Sequence, residues 1–202
     1  EMTDWLAAAA RRHTTVVRLQ TGDPGLYGAL IEMTRPLTAA GIAWAVVPGV
    51  SSAMAAMAAA GETLTLPEVT QTVILTRVAG RTPMPPGEEL EALAAHKTTL
   101  CIYLSITLLH KVQEALLKAG WDEDATILVV QKASWPGEEK IVRGTIKDIK
   151  KKCQDEKIAS QAMIVASPTL GAADWPELIR SKLYDPTFAH RFRKASEKSD
   201  HE

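Results

Sequence analysis

β-Branched stretches alternate with helix-like stretches along the first 60 residues of the chain. TTVVRLQ (14–20) and IAWAVVPG (42–49) have the composition of half-buried strands. A helical pattern over about 26–40 separates them, and SSAMAAMAAAG (51–61) follows the second. This rhythm predicts a parallel sheet with right-handed helical crossovers.

The helix predicted over 26–40 carries two signals for its C-terminal end. Pro36 is expected to end or kink it, because proline cannot donate a backbone hydrogen bond. Gly41 is expected to stop it. The chain itself opens in a helical stretch, EMTDWLAAAARRH (1–13), so an opening strand and helix of the N-terminal α/β domain are expected to be absent from this sequence.

The second half of the sequence mixes one long helical pattern with several apolar runs. The helix is predicted over 107–120, with Gly120 closing it. Residues 127–133 and 140–146 are expected to pair as a hairpin across the turn WPGEE. Further strands are predicted at TVILTRV (72–78), TTLCIYLS (98–105) and AMIVAS (162–167).

The stretch AGRTPMPPGEE (79–89) is rich in glycine and proline, which is typical of a loop near a domain boundary. We therefore predict an α/β fold of two α/β domains, with an incomplete N-terminal domain over residues 1–80 and a C-terminal domain over residues 81–202.

Composition narrows the class of protein. The chain has 202 residues, 46% of them hydrophobic, and a formal net charge of -1. No overall basic field favours nucleic acid or an anionic membrane surface. The sequence lacks an apolar run long enough to span a bilayer and a G-x-S-x-G elbow, and its two cysteines and five histidines have no metal-ligand spacing. A cytoplasmic protein without a bound metal is expected.

The turn TGDPGLYG (21–28) follows the first predicted strand, where open α/β sheets bind ligands. Phosphate-binding turns usually supply a lysine, but this turn supplies Asp23. A carboxylate there repels phosphate and favours a neutral or cationic ligand. The competing interpretation is that Asp23 only N-caps the following helix.

A second turn, VPGVSSAM (47–54), follows the other predicted strand. Ser51 and Ser52 open a helix whose free N–H groups could bind a carboxylate, although simple capping is the alternative. Two adjacent strands that end in such turns would form one crevice. A carboxylate on one turn and a helix N-terminus on the other would together complement a zwitterion.

Several fragments together resemble the tetrapyrrole (corrin/porphyrin) methyltransferases of cobalamin biosynthesis, and within them the subgroup that methylates C-11 of precorrin-4 or cobalt-precorrin-4. Two fragments, TGDPGLYGAL and VPGVSSAMAAMAAAG, are shared across that superfamily. Two more are typical of the subgroup alone: LTLPEVTQTVILTRVAGRTPMP and SKLYDPTFAHRFRKA. The fifth fragment is QKASWPGEEKIVRGT.

The resemblance implies S-adenosylmethionine held between two α/β domains, with S-adenosylhomocysteine as product, a tetrapyrrole as substrate and a homodimer as the assembly. The methionine and ribose part is expected against Gly22, Asp23, Pro24 and Leu26, with Ser51, Ser52 and Ala53 reaching the same ligand. The adenosine is expected among Tyr103, Leu104, Ala133, Ala162 and Met163.

Substrate carboxylates are expected to pair with Arg77 and Arg81, whose alternative is a solvated loop position. No catalytic residue can be assigned. Two other functions remain open. One is a methyltransferase of the same superfamily with another acceptor, such as uroporphyrinogen III, another precorrin, rRNA or a diphthamide precursor. The other is a nucleotide-binding module without catalysis.

Overall fold

The computed structural model describes residues 2–177, 179, 181–182, 188–189 and 191. The chain divides into two compact units, Glu1–Ala55 and Ala56–Glu202. The division into domains near residue 80 stays a prediction. Most of the family-like fragment SKLYDPTF (181–188) lies outside the described residues.

The first unit holds helices and loops. Helix α1 spans Met2–Ala10 and α2 spans Leu30–Ala39. The strands predicted over 14–20 and 42–49 are wrong, since the described residues of this unit form no strand. Val17 is 72% exposed and Leu19 is 89% exposed. A β-branched sequence favours a strand only where a neighbouring strand completes its hydrogen bonds and covers one face.

Helix α2 differs from the predicted helix at its start and at its proline. It begins at Leu30 and not near Leu26, because Ala29 before it is in the left-handed region with φ 51°. It runs through Pro36, so the proline does not end it. Its end is as predicted: Gly41 has φ 68° and donates to the carbonyl of Thr38 at 3.0 Å.

The second unit is built on a five-stranded sheet with the order β1-β2-β5-β3-β4. β1 and β2 pair in parallel, and every other neighbouring pair is antiparallel. All five strands coincide with predicted apolar runs, and the predicted hairpin is confirmed as β3 and β4. The strands are β1 Val73–Arg77, β2 Thr99–Tyr103, β3 Thr126–Gln131, β4 Lys140–Thr145 and β5 Ala162–Ala166.

Three helices pack with this sheet: α4 Leu90–Ala94, α5 Leu109–Lys118 and α6 Ile149–Asp155. The predicted helix over 107–120 is confirmed as α5, and Gly120 closes it with φ 78°. The apolar faces of the helices join the inner residues of β2, β3 and β5 in one core. Its fully buried members include Leu100, Ile102, Val112, Leu116, Ile127, Val129, Ile149 and Ile164.

Helix α3, Ser52–Ala60, ends against the edge strand β4. Arg143 of β4 donates to the carbonyl oxygen of Ala60 at 2.7 Å and to Oε1 of Glu62 at 2.6 Å. The Glu62 side chain is only 8% exposed and also accepts the N–H of Gly171 at 3.1 Å. These contacts fix the C-terminal end of α3 to the sheet.

No helix within the described ranges has both the length and the hydropathy needed to cross a lipid bilayer.

Candidate functional site

The carboxylate of Asp23 joins the two glycine turns of the first unit. Its Oδ1 accepts the N–H of Gly25 at 2.8 Å, within its own turn. Its Oδ2 accepts the N–H of Gly49 at 3.1 Å, in the other turn. The structure therefore brings the turn 21–28 and the segment predicted as the second turn (47–54) together, as the sequence predicts. No strand is described before either, and residues 47–51 lead into α3 without forming a turn; the segment keeps the name of second glycine turn.

The N-cap interpretation of Asp23 is wrong. Helix α2 begins seven residues after Asp23, its N-cap is Ala29, and that cap makes no side-chain hydrogen bond. The turn continues past Asp23 instead of entering a helix, with Tyr27 and Ala29 both in the left-handed region. The side chain binds backbone N–H groups of turns, which is a common alternative use of aspartate.

The two turns approach so closely that a side chain at Gly49 would not fit. A Cβ built on Gly49 would lie 2.2 Å from the carbonyl oxygen of Gly22. Gly22 itself has φ 74°, a conformation that glycine adopts without strain. A Cβ at Gly28 would likewise lie 2.4 Å from the carbonyl oxygen of Pro24. The glycines at these positions therefore allow backbone-to-backbone contact.

The remaining predicted residues of this unit lie in or beside the same pair of turns. Pro24 and Leu26 are half-buried, and the N–H of Leu26 donates to the carbonyl of Asp23 at 3.2 Å. Ser51 immediately precedes α3, and its backbone carbonyl accepts a hydrogen bond of 3.0 Å from the N–H of Ala55. Ser52 is exposed, whereas Ala53 is fully buried.

In the second unit, the predicted adenosine residues gather at one edge of the sheet. β2 and β3 end at this edge and β5 begins there. Gln131 pairs with Ala162 and Val130 with Met163. Continuing the register that pairs Ile102 with Ile164 places Tyr103 beside Met163. Leu104 follows Tyr103 and Ala133 follows β3, so all five predicted residues share the edge.

The backbone at this edge is held in unusual conformations. Leu104, Lys132, Ser134 and Gln161 are all in the left-handed region, with φ between 49° and 68°. Such conformations cost of order 1–3 kcal/mol each and persist where the surroundings enforce them. Leu104 is also 71% exposed. An exposed leucine on a strained turn beside small residues is typical of a surface that contacts a ligand.

Ser105 holds this turn and was not predicted as a site residue. Its fully buried hydroxyl donates to the carbonyl of Tyr103 at 2.6 Å and accepts the N–H of Val78 at 2.9 Å. The ends of β1 and β2 are thereby tied together. The sequence shows a serine directly after an apolar strand, but the Val78 N–H that it accepts lies 27 residues away in the sequence.

The two predicted arginines have different surroundings. Arg77 ends β1 beside Tyr103. Its guanidinium donates to the carbonyl oxygens of Thr82 at 3.1 Å and Pro83 at 2.8 Å, so it organises the proline-rich loop. Arg81 is exposed within that loop. A role for either in substrate binding stays a prediction.

Neither thiol is suited to act as a nucleophile. Burial raises the pKa of Cys101 to about 12 and the pKa of Cys153 to about 11, so both remain protonated near neutral pH. Among the residues that the structure describes, no group of three or more His, Cys, Asp or Glu side chains is arranged to hold a metal ion.

The model of the family described as Tetrapyrrole (Corrin/Porphyrin) Methylases matches residues 1–150. The chain belongs to this family. The resemblance noted in the sequence is thus confirmed, and the chain is a methyltransferase of the family's α/β fold.

One curated relative and two solved structures illustrate the similarity. A cobalt-precorrin-4 C(11)-methyltransferase of Priestia megaterium is 48% identical over 194 residues, which are 96% of this chain and 75% of that protein. The X-ray structure of a cobalt precorrin-4 methyltransferase, also 48% identical, has a TM-score of 0.80 and covers 83% of this chain and 70% of that one.

A uroporphyrin-III C-methyltransferase of Thermus thermophilus is more distant, at 25% identity and a TM-score of 0.68. The match covers 84% of this chain and 73% of that one, and that crystal structure contains S-adenosylhomocysteine.

Proposed function

We propose that this protein transfers a methyl group from S-adenosylmethionine to C-11 of precorrin-4 or cobalt-precorrin-4, a step of cobalamin biosynthesis. The 48% identity over nearly the whole chain to an enzyme named for this reaction carries the proposal. The paired glycine turns support it, because they offer backbone groups and a carboxylate and no lysine.

The turns suit a donor without a phosphate group. Asp23 gives the turn region an anionic side chain, which disfavours a phosphate, and neither turn supplies a lysine to offset it. The N-terminus of α3 supplies backbone N–H groups for a carboxylate. In this proposal Gly22, Asp23, Pro24 and Leu26, together with Ser51, Ser52 and Ala53, hold the methionine and ribose part of the ligand.

The sheet edge suits an adenosine. Four of the five residues predicted to contact it are small or apolar, so a flat base could lie against the backbone. In this proposal the adenosine contacts the five residues that share the edge: Tyr103, Leu104, Ala133, Ala162 and Met163.

Methyl transfer to carbon is a displacement in which the sulfonium of the bound donor supplies an activated leaving group. The chain therefore contributes alignment more than covalent chemistry. In this proposal the turns and the sheet edge hold the donor in line with the ring carbon, and such orientation can lower a barrier by about 7 kcal/mol or more. Exposed Arg81 and the loop that Arg77 organises are proposed to meet carboxylates of the tetrapyrrole. A homodimer is proposed as the working assembly.

Calorimetry followed by an acceptor assay tests the proposal. The purified protein is titrated with S-adenosylmethionine and S-adenosylhomocysteine, and both are expected to bind with one site per chain. Methyl-labelled donor is then offered with precorrin-4, with cobalt-precorrin-4 and with uroporphyrinogen III.

Transfer to either of the first two acceptors supports the proposal. Transfer to uroporphyrinogen III alone would instead assign a different acceptor within the same family. Binding without transfer to any acceptor would favour a non-catalytic module, and absence of binding would refute the proposal entirely.

A further inference from the structure

We propose that Asp23 is a positioning residue: its carboxylate sets the spacing of the two glycine turns, and it does not act as the charge partner of the bound donor. The consequence for ligand affinity rests on the function proposed above. The structural part of the inference, the link between the turns, does not depend on that function.

Both oxygen atoms of the Asp23 carboxylate are engaged by backbone donors. One accepts from Gly25, two residues ahead in the same turn, and the other accepts from Gly49, 26 residues away. Hydrogen bonds from N–H groups to a carboxylate are stronger than those between neutral groups. A single side chain thus fixes the conformation of its own turn and the distance to the second one.

The contact between the turns leaves no room for a side chain at Gly49. The backbone of Gly49 lies so near Gly22 that a Cβ would be 2.2 Å from the Gly22 carbonyl oxygen. A side chain at Gly49 would therefore force the two turns apart and lengthen the contact between Asp23 and the Gly49 N–H. The carboxylate of Asp23 and the absence of a side chain at Gly49 therefore both determine the distance between the two turns.

The second turn leads directly into α3, where Ser51 and Ser52 stand at its N-terminus. Any change in the spacing of the turns moves these residues relative to Gly22 and Pro24. A ligand held by both turns would lose contacts irrespective of its charge. A direct charge partner of the sulfonium would behave differently, because its loss would weaken binding of the cationic donor more than binding of the neutral thioether product.

Asparagine at this position separates the two roles. The Asp23→Asn side chain keeps one acceptor oxygen, so it can serve Gly25 or Gly49 but not both, and its amide N–H2 group is a donor. The Asp23→Ser hydroxyl is shorter and can serve only its own turn. Glu32→Gln, on the exposed surface of α2, removes a negative charge from the same unit and is the matched control.

The first measurement needs no ligand. Labelling with 15N-glycine gives a spectrum of 12 backbone amides in the intact protein. Asp23→Ser loses the contact with Gly49, so hydrogen exchange at Gly49 is expected to speed about fivefold or more, with no change in Glu32→Gln. In Asp23→Asn the same acceleration is expected at either Gly25 or Gly49, according to which of them keeps the remaining oxygen, and this variant is read if Asp23→Ser does not give a folded spectrum. Unchanged exchange at Gly49 in folded Asp23→Ser, or at both glycines in folded Asp23→Asn, overturns the proposal.

The second measurement compares ligands. Asp23→Asn is expected to weaken binding of S-adenosylmethionine and S-adenosylhomocysteine by the same factor. Gly49→Ala, which forces the turns apart without changing charge, is expected to weaken both similarly, and the double variant is expected to be little worse than either single variant. Tenfold greater loss for the sulfonium than for the thioether, or full additivity of the two substitutions, would overturn the positioning role.

The two measurements also separate this inference from the proposed function. If neither ligand binds the wild-type protein, the proposed function fails, whereas exchange at Gly49 still decides whether Asp23 links the turns.

Discussion

Replacing Ser105 by alanine tests whether the sheet edge is held by the hydrogen bonds described above. The substitution removes one oxygen atom from a fully buried position. The N–H of Val78 then loses its acceptor, and the carbonyl of Tyr103 loses its donor. Alanine fits the site without a steric clash, so the lost hydrogen bonds are the main change.

The expected loss of stability follows from the burial of the Val78 N–H and the Tyr103 carbonyl. Leaving a buried backbone group without a partner costs about 1–3 kcal/mol, and we expect a loss of about 2 kcal/mol in the free energy of unfolding. For a protein of this size, each kcal/mol corresponds to a fall of about 2–4 °C in the midpoint of thermal unfolding, so a fall of about 4–8 °C is expected. Because Ser105 fixes the turn at Leu104, weaker binding of S-adenosylmethionine is expected as well.

Thermal unfolding followed by circular dichroism measures the fall in the unfolding midpoint, and calorimetric titration measures the binding of S-adenosylmethionine. Ser160→Ala, at an exposed position, is the control and is expected to change neither. If Ser105→Ala unfolds at the wild-type temperature and binds the donor equally well, the edge is not held by this hydroxyl and the reasoning is refuted.

Three further predictions concern the second unit. Arg143→Ala leaves the nearly buried carboxylate of Glu62 without its cationic partner, and we expect urea unfolding to show a loss of about 1–2 kcal/mol, reduced because Arg143 is 45% exposed. Glu62→Gln leaves no buried charge and should cost less, and the reverse order would contradict the prediction. Both thiols should resist iodoacetamide at neutral pH until the protein is unfolded, because burial raises the pKa of each. Labelling of the native protein at neutral pH would show that the burial is wrong. The stability gained by keeping Cys101 protonated should be fully present below pH 9.0 and lost as the pH rises toward about 12.

Local signals in the sequence were sufficient for most elements of the second unit. The turn WPGEE joins two apolar runs and predicts the β3–β4 hairpin, whose strands are neighbours both in sequence and in space. The helix α5 has a regular apolar face and a closing glycine at 120. The insertion of β5 between β2 and β3 was not predictable in this way, because it depends on pairing between distant residues.

The first unit shows the limit of local propensity. Residues 14–20 and 42–49 have strand composition but form no strand in the described chain, because a strand requires a partner and propensity alone does not provide one. The glycine segments that follow them were nevertheless predicted correctly to lie together, although only 21–28 forms a turn. Their glycines serve close backbone contact, which depends on the turns themselves and not on strands before them.

The sequence by itself determined the family, the class of fold, the contact between the two glycine segments and the strand ends of the second unit, since motifs and apolar patterns are local properties. Only the tertiary structure decided what Asp23 does. An aspartate before a helical pattern is a good N-cap candidate from sequence, but its second acceptor contact is with Gly49, 26 residues away. A hydrogen bond between such distant residues exists only after the chain has folded, so no local pattern contains it.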